Sequence, residues 1–427
     1  MKTTHIPLAY GQKEVSVDVP SGNLLGVFYP KPIQKMMDEV YLIRQALDNP
    51  IGTQPLKQIV HPGQKIAIAI SDMTRPTPSE RMLPPLLEEL HTTGIPDEDV
   101  FIVLALGLHR PMTDDEIEVA IPADIMQRYQ VINHDPLDTV HIGVTSRGTP
   151  VDIFRPLVEA DIRICLGNIE FHYFAGYSGG AKAILPGCAS RAAVTANHSW
   201  MTYSQAAAGH LDDNPVRLDL EEGVGMLGVD FILNVVVDGE HNIIGAFAGD
   251  VILAHRKGCQ MVEDRGTVEI PRLGDIVVAS SGGYPKDINF YQAHKALESA
   301  KYFVNEGGII ILVAECPEGF GNKVMQQWLL EIPTPDETIQ RIKQEFVLGG
   351  HKAAAIALIE KHAEIYLVSS LPTDMVRHMR FYPFNSIQQA LDYALEEMGG
   401  QSKVLVLPQA GSILPKLKPF LLDKRRV

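Results

Sequence analysis

The chain has 427 residues, of which 45% are hydrophobic and 21% are charged, as in an ordinary globular protein. The length favours two or three domains, and the net charge of -15 argues against nucleic acid or an anionic membrane as the main partner. No apolar run approaches the ~18 residues of a membrane helix, and the first residues lack the apolar stretch of a signal peptide. We therefore expect a cytoplasmic protein without membrane association, whose four scattered cysteines are reduced thiols.

Short apolar runs alternate with helical segments along the chain. The runs lie at 64–70, 100–106, 161–167, 231–237, 275–281, 307–315, 364–370 and 403–408. Near-continuous apolar strands are typical of parallel sheets covered on both faces. The sequence therefore predicts an α/β fold with two domains, each with a mostly parallel sheet, and an active site in the cleft between them. The first long helix should be capped by Ser79 and end at Gly94.

Charged residues, glycine and proline cluster at 263–275, where we place the domain boundary. An N-terminal α/β domain is predicted over 1–266 and a C-terminal α/β domain over 267–409. The tail at 410–427 is predicted to return to the N-terminal domain as a short helix.

Two polar clusters directly follow predicted strands of the first domain. SDMTRPTP carries Asp72 and Arg75 on a turn that two prolines stiffen, and GLHRPMT carries His109. Arginine suits a carboxylate or phosphate ligand, and histidine suits proton transfer near neutral pH. Each cluster alone also fits an ordinary turn, with a surface ion pair or a solvated histidine. Ligands bind at the carboxyl ends of strands in open α/β sheets, so the repeated placement favours a site.

A third cluster, FHYFAGYSGGAKAILPG at 171–187, follows the next strand and contains one lysine, Lys182. Gly179 and Gly180 would let the backbone approach a ligand closely. The spacing does not fit a P-loop, so Lys182 could contact a phosphate, form a Schiff base or attach a cofactor. His198, further along in a helical segment, fits either a metal ligand or a core histidine.

The fourth cluster, SSGGYPKDINFYQAHKA at 280–296, follows the first strand of the second domain. Tyr291, Gln292 and Lys295 can share one helix face because of their spacing. A solvated helix face is the alternative interpretation.

Together with LDNPIG at 47–52, these four motifs resemble the lactate racemase family over nearly the whole chain and in matching order. Members of that family use a nickel-pincer nucleotide, a pyridinium-3,5-bisthiocarboxylic acid mononucleotide that holds nickel. The resemblance implies that Lys182 attaches this cofactor covalently through a thioamide. It also implies that Gly179 and Gly180 contact the cofactor and that His198 is a nickel ligand.

The resemblance also assigns the catalytic residues. His109 and His172 match the two catalytic bases, and Asp72 and Arg75 match the acid and the arginine of the family's SDxTRP turn. A 2-hydroxy acid has a very weakly acidic α-hydrogen, so transfer of a hydride with loss of the hydroxyl proton is easier than proton abstraction. Racemisation needs a base for each enantiomer, which two histidines can supply.

In the second domain, Gln292 and Lys295 match residues that close over the substrate, and Tyr291 and His351 are expected to contact the cofactor. The resemblance implies a small 2-hydroxy acid as substrate and cofactor-biosynthesis proteins as partners. Ala181 and Ala183 replace an arginine and a serine of lactate-active members, and His351 lies where they have a tryptophan.

These departures lead us to expect a longer or more polar 2-hydroxy acid than lactate. Two alternatives are a Schiff-base lyase that uses Lys182, resembling an aldolase, and a protein without catalytic activity that binds a metal or nucleotide.

Overall fold

The computed structural model describes residues 2–32 and 37–418, which form two compact units. We call residues 2–32 together with 265–418 the terminal unit, and residues 37–264 the middle unit. The break between Asp264 and Arg265 falls within the predicted boundary region. No helix within the described ranges is long and apolar enough to cross a membrane.

The strands in chain order are β1 (Thr3–Tyr10), β2 (Lys13–Pro20), β3 (Leu24–Val27), β4 (Ile66–Ser71), β5 (Val100–Ala105), β6 (Gln130–Asn133), β7 (Thr139–Val144), β8 (Pro150–Phe154), β9 (Ile162–Asn168), β10 (Phe171–His172), β11 (Gly176–Tyr177), β12 (Phe231–Val237), β13 (Ile243–Gly249), β14 (Thr267–Ile270), β15 (Gly274–Ser280), β16 (Val304–Val313), β17 (Ala363–Val368), β18 (Tyr382–Phe384), β19 (Val404–Leu407) and β20 (Leu414–Leu417).

The α-helices are α1 (Glu39–Asp48), α2 (Leu56–Ile59), α3 (Ser79–His91), α4 (Asp114–Ala120), α5 (Ala123–Arg128), α6 (Arg155–Glu159), α7 (Arg191–Ser199), α8 (Pro215–Leu227), α9 (Leu253–Gly266), α10 (Phe290–Ala300), α11 (Lys323–Glu331), α12 (Pro335–Gln344), α13 (Gly350–Glu360), α14 (Thr373–His378) and α15 (Ile387–Glu397). Short 3-10 turns lie at Asp97–Asp99, Gly180–Ala183, Trp200–Thr202 and Ala410–Ser412.

The middle unit is built on a six-stranded sheet in the order β13-β12-β9-β4-β5-β6. All of its pairings are parallel except that of the edge strand β13. Every residue of β4 except Ser71 is buried, because helices and loops cover both faces of the central strands. The chain runs from β4 outward to β5 and β6, then returns to β9 on the other side of β4. This reversal between β4 and β9 creates the crevice in which open α/β sheets bind ligands.

The terminal unit contains a second six-stranded sheet, ordered β18-β17-β16-β15-β19-β3, in which every pairing is parallel. Its connectivity also reverses, here between β15 and β19. Apolar side chains such as Ile276, Ile311 and Val406 fill the core on one face of this sheet. The predicted α/β class with two mostly parallel sheets is therefore confirmed, and each predicted apolar run overlaps a strand.

The extent of the predicted N-terminal domain was wrong at its start. Residues 2–32 belong to the terminal unit, because β3 pairs with β19 at the sheet edge. The hairpin of β1 and β2 also buries Leu8 and Val17 in the same core as Ile276. Nothing local in a hairpin sequence specifies which distant sheet it will cover.

Two smaller predictions were also wrong. Ser79 is the first residue of α3 and not its cap, since Pro78 occupies the cap position and no side chain bonds the helix end. The predicted tail helix is instead β20 over Leu414–Leu417, which pairs in parallel with β14 of the terminal unit. The rest of the tail, from residue 419, lies outside the described residues. All four cysteines are free, as predicted, and the structure shows that all four are buried.

A buried histidine follows β6 of the middle unit. His134 is 2% exposed, packs edge-on against Phe154 at 5.4 Å, and neither ring nitrogen has a hydrogen-bond partner among the described residues. Burial lowers the pKa of His134 to about 4. The unfolded chain would take up a proton near pH 6.5 and the folded chain only near pH 4, so His134 costs stability as the pH falls through that window.

Substitution of His134 by leucine should therefore flatten the acid side of the stability profile. At about 1.4 kcal/mol per pKa unit, we expect wild type to lose roughly 2–3 kcal/mol more than the variant between pH 7 and pH 4. Urea unfolding at several pH values measures this difference, with His61→Gln at an exposed histidine as the control. Parallel stability profiles for wild type and His134→Leu would contradict the expectation.

Candidate active site

Asp72 and His109 come together at the carboxyl ends of β4 and β5. A hydrogen bond joins the Asp72 Oδ2 to the His109 Nδ1, and the Thr74 hydroxyl donates to the Asp72 Oδ1 at 2.7 Å. Burial alone would raise the pKa of Asp72, but the bond with His109 and the charge of Arg75 outweigh burial and lower it. Because Asp72 is therefore ionised, it accepts the Nδ1 proton of His109, which leaves Nε2 as the ring nitrogen available for proton transfer, as in an aspartate–histidine pair of a hydrolase.

Backbone contacts fix the turn that carries His109. Gly107 has a φ of +56° and donates its N–H to the carbonyl oxygen of Gly187 at 2.7 Å. His109 closes the turn by donating its own N–H to the oxygen of Leu106. The turn after β5 is thus bonded directly to the end of the glycine-rich segment.

The glycine-rich segment folds as the small hairpin of β10 and β11 followed by the 3-10 turn at Gly180–Ala183. Gly180 donates its N–H to the Asn234 Oδ1 at 2.7 Å, and its φ is +59°. A β-carbon at Gly180 would lie 2.7 Å from Cγ of the buried His255. Only glycine can occupy this position without displacing its neighbours.

One buried aromatic ring brings three of the predicted residues together. The Phe174 ring centroid lies 5.6 Å from the Lys182 Nζ, and its ring meets the His172 and His198 rings edge-on at 4.6 and 4.9 Å. His198 reaches it from α7, and His172 from β10. The lysine and both histidines therefore lie around one apolar ring.

Burial and nearby positive charge favour the neutral forms of these three groups. Burial, with the charges of Arg75 and Arg217, lowers the pKa of Lys182 well below its usual value. Burial followed by the charges of Lys182 and Arg75 lowers the pKa of His198 to about 3 and that of His172 well below its usual value. A neutral amine is a nucleophile and a neutral imidazole is a metal ligand.

The tautomer of His172 differs from that of His109. The Ala175 N–H donates to the His172 Nδ1 at 3.2 Å, so the neutral ring carries its proton on Nε2. The two histidines thus present opposite functions at Nε2, a lone pair on His109 and a proton donor on His172.

Sequence reasoning missed several residues that build this region. Asn168 ends β9, accepts from the Thr77 hydroxyl at 3.1 Å, and its Nδ2 has no hydrogen-bond partner in the part of the chain that the structure describes. Arg217, fully buried on α8, donates to the carbonyl oxygens of Ala175 and Tyr177 and so holds the hairpin. A polar residue at the end of an apolar strand could have pointed to Asn168, but nothing in the sequence distinguished Arg217 from a surface arginine.

The terminal unit holds the fourth cluster on α10, as predicted. Tyr291 and Gln292 are half-buried and Lys295 is exposed. Sequence reasoning missed His294 beside them, whose Nδ1 donates to the backbone carbonyl oxygen of Tyr291 at 2.7 Å. The Lys352 Nζ lies 3.1 Å from the His294 Nε2 and 4.0 Å from the centre of the Tyr291 ring.

His351 begins α13 together with Lys352. It is 7% exposed, its Nδ1 accepts the N–H of Gly349 at 3.1 Å, and its ring lies against Phe346 at 5.3 Å. These contacts fix the orientation of the His351 ring within the terminal unit.

No group of three or more histidine, cysteine, aspartate or glutamate side chains within residues 2–32 and 37–418 could hold a metal ion. His198 could supply one ligand to a metal whose other ligands belong to a bound molecule. The neutral Lys182 beside it could attach such a molecule, so the donor set fits a cofactor that carries its own metal ligands.

Two domains of a known protein family match most of this chain. The lactate racemase N-terminal domain matches residues 10–209, and the lactate racemase C-terminal domain matches residues 271–414. Lactate racemase from Thermoanaerobacterium thermosaccharolyticum is 33% identical over 97% of this chain and 100% of its own. Lactate racemase from Lactiplantibacillus plantarum is 32% identical over 96% of this chain and 99% of its own.

Solved structures agree with these matches. The lactate racemase apoprotein from Thermoanaerobacterium thermosaccharolyticum has a TM-score of 0.89 and 33% identity, covering 97% of this chain and 100% of that chain. A crystal structure of a protein from Thermotoga maritima, with a TM-score of 0.66 and 21% identity over 91% of this chain, shares the fold. The protein is an α/β enzyme of the isomerase class. It belongs to the lactate racemase family, which confirms the resemblance seen in its motifs.

Proposed function

We propose that this protein racemises or epimerises a 2-hydroxy acid by reversible hydride transfer. Its relatives named lactate racemases support the reaction class. The proposal rests on the arrangement around Phe174, whose ring lies against Lys182, His172 and His198. The Asp72–His109 pair lies in the same unit. A Schiff-base lyase would also use a neutral lysine, but it would need neither His198 nor two histidines of opposite tautomer.

The residues of the middle unit fit a nickel-pincer nucleotide. Lys182 has the neutral amine needed for a covalent link, and Gly179 and Gly180 leave room for close approach of the backbone. His198 offers a neutral imidazole, a ligand that suits nickel. When bound, this cofactor would supply the acceptor that takes hydride from the substrate Cα and returns it.

Proton transfer falls to the two histidines. The His109 Nε2 would take the hydroxyl proton of one enantiomer while Asp72 stabilises the imidazolium that forms. His172 would serve the other enantiomer, which requires its proton to move from Nε2 to Nδ1 and Nδ1 to release the Ala175 N–H. A substrate carboxylate would neutralise the positive charge of Arg75, which disfavours protonation of His172. Ligand binding would therefore prepare His172 for its role.

Arg75 is the residue of the middle unit best suited to bind the substrate carboxylate, because its guanidinium can make two parallel hydrogen bonds. We propose further that Gln292 and Lys295 bind the substrate and that Tyr291 and His351 contact the cofactor. Since other proteins must make the cofactor, the active enzyme should require cofactor-biosynthesis proteins. A cytoplasmic location remains a prediction.

The choice of substrate is open to a direct experiment. Lactate is the first compound to test because the named relatives are lactate racemases. We nevertheless expect a longer or more polar acid to react faster. The buried Ala181 adds no donor to the anchor turn, and His351 presents a small polar ring.

Protein produced together with the cofactor-biosynthesis proteins should be incubated with single enantiomers of a series of 2-hydroxy acids. Separation of the products on a chiral column gives kcat/KM for each acid. Faster turnover of lactate than of every other acid would contradict our expectation for the substrate, and no racemisation of any acid would contradict the proposed function.

A further inference from the structure

A buried carboxylate lies behind the proposed metal ligand. Asp219 on α8 is 0% exposed. It accepts hydrogen bonds from the Thr145 and Thr149 hydroxyls at 2.5 and 2.7 Å, and from the Asn197 Nδ2 at 2.8 Å. Burying a carboxylate is costly unless such donors satisfy it, so this arrangement needs an explanation beyond packing.

Asp219 determines which way the Asn197 amide points. Asn197 is 0% exposed, and its Nδ2 also donates to the carbonyl oxygen of Val216 at 3.1 Å. Both neighbours are acceptors, so exchanging the amide nitrogen and oxygen would set oxygen against oxygen. The Asn197 Oδ1 therefore faces the other way, where it lies 3.2 Å from the His198 Nδ1.

This contact fixes the proton of His198. An amide oxygen can only accept, so the Nδ1 of the neutral ring must carry the proton and donate it. The lone pair then resides on Nε2. A hydrogen bond to the second ring nitrogen is the usual means by which proteins orient a metal-binding histidine.

We propose that Asp219 and Asn197 are positioning residues, which hold His198 in the tautomer that directs its Nε2 lone pair at nickel. This inference rests on the proposed function, in which His198 is the nickel ligand. It adds a chain of three residues, from a buried carboxylate through an amide to the imidazole, that no motif in the sequence indicated.

The tautomer can be measured without the cofactor. Cofactor-free protein labelled with 15N in histidine gives imidazole nitrogen shifts and couplings that identify the protonated nitrogen, and His198→Gln assigns the signal. Wild type should show a proton on Nδ1 and a lone pair on Nε2. Asn197→Ala should shift His198 toward the other tautomer or a mixture.

Two further variants separate positioning from folding. Thr149→Val removes one bond to Asp219 but leaves Asn197 in place, so it should lower the Tm without changing the tautomer. In the double variant Asn197→Asp/Asp219→Asn, an acceptor again faces the His198 Nδ1 and a donor again joins the two side chains. This double variant should recover part of the wild-type tautomer.

Nickel retention tests the functional consequence. In protein produced with the cofactor, loss of nickel to a chelator should be about 10–100-fold faster in Asn197→Ala than in wild type, and near wild type in Thr149→Val. An unchanged His198 tautomer in Asn197→Ala, or equal nickel loss from both proteins, would overturn the inference. Wild type that carries the cofactor but no nickel would instead overturn the nickel role of His198 in the proposed function.

Discussion

Replacing Lys182 with alanine or with arginine should reduce racemisation to the level of protein produced without the cofactor. Burial and nearby positive charge lower the pKa of the Lys182 amine well below its usual value, which suits it to a covalent bond. Arginine keeps a positive charge but offers no such nucleophile. The two variants should therefore fail equally, and neither should show added mass in an intact-mass measurement, whereas wild type should.

Peptide mapping of the wild type completes this test, because the added mass should lie on Lys182 and not on Lys295. Lys57→Arg, in the same unit, is the matched control and should retain both activity and added mass. Melting curves establish that the Lys182 variants fold. Racemisation by Lys182→Arg, or an unmodified Lys182 in active wild type, would rule out the covalent link.

Loss of either His109 or His172 should reduce racemisation by roughly 10²–10⁴-fold, the usual contribution of one acid or base. The half-reactions should divide between them. His109 lies at the end of β5 against Asp72, and His172 lies on the hairpin against Phe174, so they approach a substrate from different positions. His109→Ala should still oxidise one enantiomer to the keto acid, and His172→Ala the other.

The measurement uses near-stoichiometric enzyme, one pure enantiomer at a time, an acid quench and an assay for the 2-keto acid. His61→Ala, at an exposed histidine outside the site, should behave as wild type. If both variants lost both half-reactions to the same degree, the histidines would not be divided between enantiomers.

The fold of the two sheets could be predicted because its signal is local. Each parallel strand, buried on both faces, appears as an apolar run such as 64–70 or 231–237, and helices separate the runs. The placement of β3 beside β19 could not be predicted, because that pairing depends on tertiary contacts between distant segments. β20 could not be predicted either, because it forms by pairing with the distant strand β14. Its apolar residues fit a helix equally well.

The candidate site shows the same division. Lys182 and His172 stand out because they follow a strand in a glycine-rich segment, and His198 lies in the helical segment after it. The structure places all three against Phe174. Asn197 and Arg217 have no such signal. Their importance comes from which groups they meet in space, and the sequence alone does not contain that information.

In the proposed mechanism the substrate hydrogen leaves and returns with its electron pair, while histidines carry the hydroxyl proton. The most direct test is racemisation, in ordinary water, of one enantiomer of the preferred 2-hydroxy acid labelled with deuterium at C2. The C2–D and O–H bonds break together, and the deuterium returns to the opposite face of C2. The predicted result is a product with nearly equal amounts of the two enantiomers, both of which retain deuterium at C2. Racemic product that has exchanged its deuterium for solvent hydrogen would mean proton abstraction at C2 and would contradict the account.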